Sequence, residues 1–316
     1  MSKKNKAAYY ECYGDAGQIK IGELNQQAVL EGEVLVRIKA AGVNPVDAAV
    51  REGWLKDFLP LNFPVIPGWD MAGVVEECGF SARRFKPGDE VYAYARRPTV
   101  QHGTFAEYIV LPESYLALKP KNLRFEEAAG IPLVGLTAYQ SLFDAGHLQA
   151  GQTVLILGAS GGVGSLGIQL AKDKGATVIG VASQKNHKFM QDLGADHTLD
   201  YKDNQVGQAV KAICPEGVDL IFDAASGETL TQSLEALKPR GKLVSILNQG
   251  QDLDKSLNFQ YVFVEPNSTQ LEHLCQLAEA GELKVHVSGT YTLDQAAEAM
   301  RQIETHHTTG KIVIVP

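Results

Sequence analysis

The order of apolar and polar residues divides the chain into two regions with different periods. Up to about residue 122, short apolar runs are separated by Gly and Pro, as in the turn Pro87-Gly88-Asp89. These runs cover residues 33–40, 73–77, 90–94 and 104–110. Such closely spaced short strands predict a compact β-barrel.

From residue 125 onward, strand-like runs alternate with helical segments. Helices are predicted near residues 126–129 and 135–145, and six strands at residues 153–158, 176–182, 197–201, 218–223, 241–247 and 259–264. A repeated strand–helix–strand order predicts an α/β fold, a doubly wound parallel sheet with helices on both faces.

The end of the chain returns to short elements, a helix near residues 293–304 and a strand over 310–316, which we expect to rejoin the first domain. The predicted organisation is therefore a β-barrel domain made of residues 1–122 and 285–316, with an α/β domain of residues 123–284 between them. The cleft between two such domains is the usual place for a binding site.

A glycine-rich turn follows the first strand of the second domain. It reads Gly158-Ala159-Ser160-Gly161-Gly162-Val163-Gly164 and leads into a helix and a second strand. Glycine permits positive φ and lets backbone N–H groups approach a pyrophosphate, while the helix N-terminus supplies donors and positive potential. The order predicts a dinucleotide site, although Ala159 stands at the usual first glycine. The alternative is a tight turn that binds nothing.

The tip of the second strand distinguishes between two cofactors. NAD sites usually carry an acid there, which binds the ribose 2′-hydroxyl, whereas residues 182–188 contain no acid. The Ser183 hydroxyl and the Lys188 ammonium would hold a 2′-phosphate, so this segment favours NADPH over NADH. The alternative is a polar loop that caps the next helix, with Lys188 in solvent.

Composition and charge disfavour several classes of function. The 316 residues are 45% hydrophobic and 21% charged, with a net charge of −8 and no basic block after residues 3–6, so nucleic acid is not expected as a partner. No apolar run reaches the length of a membrane span, and the N-terminus lacks a signal peptide's apolar core. A reducing, cytoplasmic location is expected because the cysteines are scattered without a CxxC pair, at Cys12, Cys78, Cys214 and Cys275.

Several motifs together resemble one enzyme superfamily. They occur in order at residues 40–47 (AAGVNPVD), 67–73 (PGWDMAG), 86–91 (KPGDEV), 103–108 (GTFAEY), 135–139 (GLTAY), 158–164 and 193–201 (LGADHTLDY). This set is similar to the medium-chain dehydrogenase/reductase superfamily, and in particular to its zinc-independent quinone oxidoreductase (zeta-crystallin-like) branch. The resemblance implies a GroES-like β-barrel catalytic domain split between the chain ends and a Rossmann domain with a six-stranded sheet. In relatives the last strand of that sheet pairs across a two-fold axis, which implies a homodimer.

The resemblance also argues against a zinc site. Zinc-dependent relatives carry Cys where this chain has Asn44 and His where it has Trp69, and neither Asn nor Trp is a good zinc ligand. The histidines at 147, 306 and 307 lie in predicted surface turns. We therefore expect no bound metal.

Several residues are candidates for the reacting centre. The Asn44 amide is the candidate catalytic group, which would hydrogen-bond a substrate carbonyl or the nicotinamide ribose; the alternative is an Asn-Pro turn bond to the backbone. Asp47 is assigned to the substrate pocket, with burial beside a backbone group as the alternative, which we favour for Asp70. Some relatives carry Tyr where this chain has Ala49, which indicates a differently shaped pocket. Four aromatic residues would stack on a flat quinone or enone, with core packing as the alternative: Trp54, Trp69, Tyr94 and Phe105.

Contacts to the cofactor follow from the resemblance as well. The pyrophosphate would lie on residues 158–164, and the nicotinamide end would lie by Thr137. The adenosine 2′-phosphate would be surrounded by Ser183, Lys188 and Tyr201. The slot for the ribose and nicotinamide would be lined by Ala225, Ser226 and Leu247, and the carboxamide would bind the backbone of Phe263 and Val264. Ala225-Ser226 replaces the more usual Val-Gly of relatives.

The expected function is NADPH-dependent reduction of a quinone or related conjugated carbonyl compound, a small-molecule substrate. Two alternatives stay open. One is an alkenal or enone double-bond reductase, which would need a proton donor, with Tyr94 as the candidate. The other is a non-catalytic NADPH-binding redox sensor. A zinc alcohol dehydrogenase is disfavoured by Asn44 and Trp69.

Overall fold

The computed structural model describes residues 3–203 and 205–316, which form two compact units. The first unit extends to Leu133 and also contains Pro266–Ala280 and Val285–Pro316. The second unit consists of Val134–Glu265 and Gly281–Lys284.

Strands and helices are numbered along the chain. The strands are β1 (Lys4–Tyr9), β2 (Lys20–Asn25), β3 (Glu33–Val43), β4 (Leu61–Ile66), β5 (Asp70–Cys78), β6 (Glu90–Tyr94), β7 (Val100–His102), β8 (Tyr108–Pro112), β9 (Leu116–Leu118), β10 (Thr153–Leu157), β11 (Thr177–Val181), β12 (His197–Leu199), β13 (Val218–Asp223), β14 (Leu237–Ser245), β15 (Phe259–Tyr261), β16 (Val287–Thr292) and β17 (Lys311–Val315). The α-helices are α1 (Pro45–Arg51), α2 (Phe125–Ala129), α3 (Pro132–Tyr139), α4 (Gly162–Asp173), α5 (His187–Asp192), α6 (Val206–Ile213), α7 (Gly227–Ser233), α8 (Ser268–Glu279) and α9 (Ala296–Glu304).

A mostly antiparallel sheet forms the centre of the first unit. Within the described residues its strand order is β16-β17-β3-β5-β6-β9, with β8 also paired to β3. The C-terminal strand β17 runs antiparallel to β3, with Ile312 opposite Val43, so both ends of the chain contribute to one sheet. Two smaller sheets pair β1 with β2 and β4 with β7.

Amphipathic helices cover this sheet. In α9 the buried residues Ala296, Ala299, Met300 and Ile303 recur at helical spacing, so one stripe of the helix faces the core. That core contains apolar side chains from β3, β5 and β17, among them Val36, Met71 and Ile314. Burial of these side chains, rather than helix propensity, stabilises so short a helix.

The first unit includes two segments that the sequence-based boundaries assigned to the second domain: residues 123–133, with α2, and Pro266–Ala280, with α8. α2 lies against β3 where Gly42 has no side chain, since a Cβ there would be 2.5 Å from the Ala129 carbonyl oxygen. The Tyr92 hydroxyl donates a 2.5 Å hydrogen bond to the Leu271 carbonyl of α8. Such contacts between residues far apart in the sequence attach both segments to the first unit. The local periodicity of apolar residues does not indicate them.

The second unit is a six-stranded parallel sheet in the order β12-β11-β10-β13-β14-β15. Its central strand β10 is apolar at nearly every position, and Val154, Leu155, Ile156 and Leu157 are all buried, as expected for a strand covered on both faces. The doubly wound α/β fold predicted from the strand–helix alternation is confirmed. The strand order reverses between β10 and β13, and ligands of such sheets bind beyond the carboxyl ends of the strands at that point.

Several predicted elements differ in extent from those observed, and three of them are described here. The strand expected over residues 104–110 is β8, Tyr108–Pro112, because the backbone N–H groups of Thr104 and Phe105 bond instead to Gly68 and Pro67. The helix expected over 135–145 is α3 followed by a π-helical segment, Gln140–Ala145. The last sheet strand, expected over 259–264, has three residues, so Phe263 and Val264 lie beyond it.

Candidate active site

The glycine turn joins β10 to α4 through a close approach of backbone to backbone. Gly158 has φ +73°, a conformation that glycine adopts without penalty. A Cβ on Gly164 would lie 2.4 Å from the Gly158 carbonyl oxygen, so only glycine lets the first turn of α4 sit this near the strand. Gly161 differs, because its φ of −76° suits any residue and only the Gly158 oxygen, at 3.4 Å, would meet its Cβ.

The start of α4 offers donors to an anion. Gly161 is the N-cap, and its carbonyl accepts the Ser165 N–H at 2.9 Å. The amides of Gly162, Val163 and Gly164 precede that bond and so have no partner within the helix. Together with the helix dipole, these amides fit a pyrophosphate.

The tip of β11 is bonded to the glycine turn. Ser183 leads into a short 3-10 turn, Gln184–Asn186. The Asn186 amide donates to the Ser160 hydroxyl at 2.9 Å and to the Ser183 hydroxyl at 3.4 Å. The structure therefore places Ser160 and Ser183, both expected to contact the cofactor, beside each other. The sequence had no signal for the Asn186 contact, because its partners lie on different segments.

An acid also lies next to this tip, although none is present in residues 182–188. Asp200 follows β12, and its carboxylate accepts the Lys202 N–H at 2.9 Å and the Gln184 N–H at 2.8 Å. These hydrogen bonds lower the pKa of the Asp200 carboxyl, and the bond from the Lys202 N–H has the larger effect. Both oxygens are engaged with the backbone, so the carboxylate organises the two loops. Sequence reasoning missed it because Asp200 comes from the neighbouring strand.

The two basic and aromatic candidates for the 2′-phosphate lie further out. Lys188 is highly exposed and forms an ion pair with Asp192, one turn later in α5. Tyr201 is 40% exposed and begins the short turn Tyr201–Asp203. Their contacts with a 2′-phosphate stay predictions.

The loops after β13 and β14 are held by a buried carboxylate that sequence reasoning also missed. Asp223 accepts the N–H groups of Ala225 and Ser226, at 3.0 and 2.7 Å, and the Ser245 hydroxyl at 2.6 Å. Ser226 has φ +61°, which disfavours any residue but glycine and explains why Gly is usual there. The Ser245 hydroxyl accepts the Leu247 N–H at 3.1 Å. Ala225, Ser226 and Leu247 are thus brought to one edge of the sheet.

Three cofactor candidates remain. Thr137 is buried in α3, and Phe263 and Val264 follow the edge strand β15. Their contacts with the cofactor stay predictions.

In the first unit, a buried polar cluster surrounds Asn44, the N-cap of α1. Its side-chain oxygen accepts the Lys311 ammonium at 2.5 Å, and its amide donates to Asp70 at 2.9 Å. Lys311 also donates to the Val43 carbonyl at 2.9 Å and lies 3.5 Å from the Asp70 carboxylate. Asp70 accepts the Leu133 N–H at 2.6 Å, as a buried partner of a backbone group. Asn44 is 0% exposed, and its direct contact with a substrate carbonyl stays a prediction.

Asp47 is the second carboxyl group of this cluster, near the same Lys311 ammonium. It accepts the Asn44 backbone N–H at 2.8 Å, and its other oxygen has no hydrogen-bond partner. Burial, together with the nearby Asp70, raises the pKa of Asp47 to about 7 against the opposing Lys311 charge. Asp47 is 3% exposed, so the structure places it inside the unit rather than on an open pocket wall.

Three of the four aromatic candidates belong to the core. Trp69 and Tyr94 pack edge to face at 6.1 Å and are almost fully buried. Phe105 is fully buried and occupies the space beside Gly68, where a Cβ would lie 2.4 Å from its ring. Their burial agrees with core packing, the alternative interpretation, and their contacts with a substrate stay predictions, as does the role of Tyr94 as a proton donor. Trp54 is 70% exposed and is the one of the four that is open to a ligand.

No group of three or more His, Cys, Asp or Glu side chains within residues 3–203 and 205–316 could hold a metal ion. No helix in that part of the chain is long and apolar enough to cross a membrane.

Comparisons with known proteins match both parts of the chain. Residues 30–121 match the alcohol dehydrogenase GroES-like domain, and residues 193–314 match a zinc-binding dehydrogenase domain. The chain is 36% identical to an NADPH-dependent alkenal/one oxidoreductase, chloroplastic, of Arabidopsis thaliana, over 100% of this chain and 81% of that protein. It is 34% identical to the mitochondrial NAD(P)H oxidoreductase RTN4IP1 of Danio rerio, over 89% and 83%. The solved quinone oxidoreductase of Coxiella burnetii superposes with a TM-score of 0.90 at 31% identity, covering 99% of this chain and 100% of that one.

Substitution at Gly161 tests the pyrophosphate site without disturbing the fold. Asp is a good N-cap residue and meets no backbone clash there, so Gly161→Asp should fold with an unchanged melting temperature. Its carboxylate would occupy and repel the anion, and the NADPH Kd should rise roughly 100-fold or more, about 3 kcal/mol. Titration of NADPH by fluorescence measures this. Gly161→Ser is the neutral control, and unchanged affinity of Gly161→Asp would exclude the site.

Asp47 should make stability depend on pH. Because its pKa is about 7 in the folded protein, against an ordinary value of 3.8, the folded chain retains a proton that the unfolded chain loses. The resulting stabilisation is complete below about pH 4 and declines as the pH rises towards 7. Asp47→Asn should flatten this decline in denaturant titrations between those values. Asp57→Asn, at an exposed position, is the control, and a slope in Asp47→Asn equal to that of the wild type would contradict the assignment.

Proposed function

This chain belongs to the medium-chain dehydrogenase/reductase superfamily, in its quinone oxidoreductase branch, and we propose that it is a zinc-independent NADPH-dependent reductase of a quinone or related conjugated carbonyl compound. The observation that carries the proposal is the edge of the second unit's sheet, where the glycine turn, the β11 tip and the loops after β13 and β14 converge. Known relatives with related activities support the class of reaction.

The residues of this edge fit a dinucleotide. The space beside Gly161 is open, and three backbone amides at the start of α4 have no partners in the helix and could bind an anion. Gly158 and Gly164 keep side chains out of the turn, so the backbone can approach a pyrophosphate closely. When bound, the cofactor supplies a hydride to the acceptor, and the protein orients and shields the reactants.

The preference for NADPH follows from the donors and acceptors at the β11 tip. A ribose 2′-hydroxyl would need a free carboxylate there, but the Asp200 oxygens accept the Lys202 and Gln184 amides. The tip presents hydroxyl and ammonium groups, which donate to a 2′-phosphate. The local chemistry therefore favours the phosphorylated cofactor.

The first unit would contribute the groups that hold the carbonyl acceptor. We propose Asn44 for this role, as donor of the amide hydrogen that Asp70 does not take, with Trp54 as an exposed aromatic surface for a flat ring. The Lys311 ammonium and the Asp70 carboxylate hold the Asn44 side chain in one orientation. Zinc has no part in this proposal, because Asn44 and Trp69 occupy the positions of two zinc ligands in zinc-dependent relatives.

We propose two further properties, a homodimer and a cytoplasmic location. β15 is a three-residue strand at the sheet edge, and pairing of two such edges across a two-fold axis would make a homodimer. A cytoplasmic location also stays a proposal, since two of the relatives are named as chloroplastic and mitochondrial proteins. Light scattering of the purified protein measures the oligomeric state.

The purified protein should oxidise NADPH only when an acceptor is present. We expect turnover with quinones, with NADH at least about tenfold slower at equal concentration, measured by loss of reduced-nicotinamide absorbance. Enals and simple alcohols with NADP⁺ complete the panel. Dialysis against a chelator should leave the rate unchanged. Faster reduction of an enal double bond would favour the alkenal reductase alternative, and tight NADPH binding without any turnover would favour the redox sensor.

Asn44→Ala should separate catalysis from cofactor binding. If the amide stabilises charge on the acceptor oxygen, kcat should fall by roughly 100-fold or more while the NADPH Kd stays within about twofold. Steady-state kinetics and NADPH titration measure the two effects, and a thermal melt reports the fold. A variant with wild-type turnover would return Asn44 to a purely structural role.

A further inference from the structure

We propose that the first unit carries a ligand site of its own, which takes an uncharged heteroaromatic ring with a hydrogen-bonding edge, a compound of the nucleobase kind. The site is a cavity of about 250 Å³ whose walls include residues of β2, β3, β4, β7 and β8. None of the residues assigned above to the acceptor or the cofactor is among the described residues that line it. The inference is therefore independent of the proposed function.

The floor of the cavity is apolar. Leu35 of β3, Ile66 of β4 and Ile109 of β8 line it, and each is at most 4% exposed. Leu35 lies opposite Val110 in the pairing of β3 with β8, so the floor is held by the hydrogen bonds of the sheet. A flat ring that covers this floor removes apolar surface from water.

Neutral hydrogen-bonding residues line the wall above this floor. Gln27 follows β2, Gln101 and His102 belong to β7, and all three are half-buried. In the part of the chain that the structure describes, their side chains have no hydrogen-bond partner. Burial and then the Arg97 charge lower the pKa of His102, so its imidazole is neutral at neutral pH. Each of the three side chains thus offers both a donor and an acceptor.

The same wall already contains one paired contact of a carboxamide with an amide edge. The Asn5 amide donates to the Tyr108 carbonyl at 2.8 Å, and its oxygen accepts the Tyr108 N–H at 3.0 Å. This double bond joins β1 to β8 and fixes the wall of the cavity. A site with fixed walls loses little conformational freedom when a ligand binds.

Charge and size define the class of ligand. The described residues that line the cavity include no Asp, Glu, Lys or Arg, so a phosphate or carboxylate would find no counter-ion there. Ligand pockets usually have about 300–1,000 Å³, so this smaller cavity suits one ring or a fused pair. A sugar would place hydroxyls against the apolar floor without partners. A flat ring with donors and acceptors at its edge fits both the floor and the wall.

The experiment titrates uracil and adenine against the purified full-length protein in the presence of saturating NADPH, by ligand-observed NMR. NADPH keeps the adenine probe out of the dinucleotide site. We expect both bases to bind with a Kd below about 1 mM. Two control ligands, benzene without the polar edge and orotate with an added carboxylate, should bind at least about tenfold more weakly than uracil.

Matched substitutions locate the binding. Gln101→Met keeps the length of the side chain and removes its donor and acceptor, so the uracil Kd should rise roughly 3- to 10-fold. The melting temperature and NADPH oxidation should stay unchanged. Gln27→Met, outside β7, should have an effect of the same size and tests the site independently of that strand. Gln302→Met, at an exposed position of α9, is the control and should leave the Kd unchanged.

Several results would overturn the proposal. They are absence of uracil binding at about 1 mM, benzene binding as tight as that of uracil, displacement of uracil by NADPH, and equal uracil Kd values in the wild type, Gln101→Met and Gln27→Met. Titration of NADPH alone and its acceptor-dependent oxidation report separately on the proposed function, so failure of one proposal is distinguishable from failure of the other.

Discussion

The first unit depends on the burial of one cation, the ammonium of Lys311. It lies at the meeting of β3, β5 and β17, in contact with the Val43 carbonyl, the Asn44 side chain and the Asp70 carboxylate. Removing one partner of a buried ion pair leaves an uncompensated charge, which costs about 3–5 kcal/mol. Lys311 therefore connects β17 to β3 and, through Asn44, to the start of α1.

In the second unit the equivalent constraint is close approach of backbone to backbone. Gly158 and Gly164 leave no room for side chains between β10 and α4, so the amides of the helix start are carried to the carboxyl edge of the sheet. Buried polar side chains then join the neighbouring loops to that edge. Asp223 with Ser245 fixes the loops after β13 and β14, and Asn186 with Ser160 fixes the β11 tip. A site that must bind an extended ligand gains pre-organisation from such bonds.

The sequence predicts the parts of this site that are formed by one continuous stretch of residues. The glycine turn, the helix after it and the two strands around it are neighbours along the chain, so their order alone indicates a dinucleotide site. Asp200, Asp223 and Asn186 act on partners 16 to 26 residues away. Their roles depend on which strands of the sheet are adjacent, and no local pattern reports adjacency. The burial of Trp69, Tyr94 and Phe105 could not be predicted for the same reason. The local strand pattern does not show whether an aromatic side chain is buried or exposed.

The sequence by itself determined the class of this protein: an α/β fold with a doubly wound sheet, a glycine turn for a dinucleotide, and membership of an oxidoreductase family. It could do so because periodicity and contiguous motifs are local properties, which can be recognised without a structure. The tertiary structure alone decided that Lys311 is bonded to Asn44, 267 residues away along the chain, that Asp47 is enclosed beside Asp70, and that Lys188 is paired with Asp192. These features depend on burial and on the charges brought together from distant segments, and only the folded chain sets both.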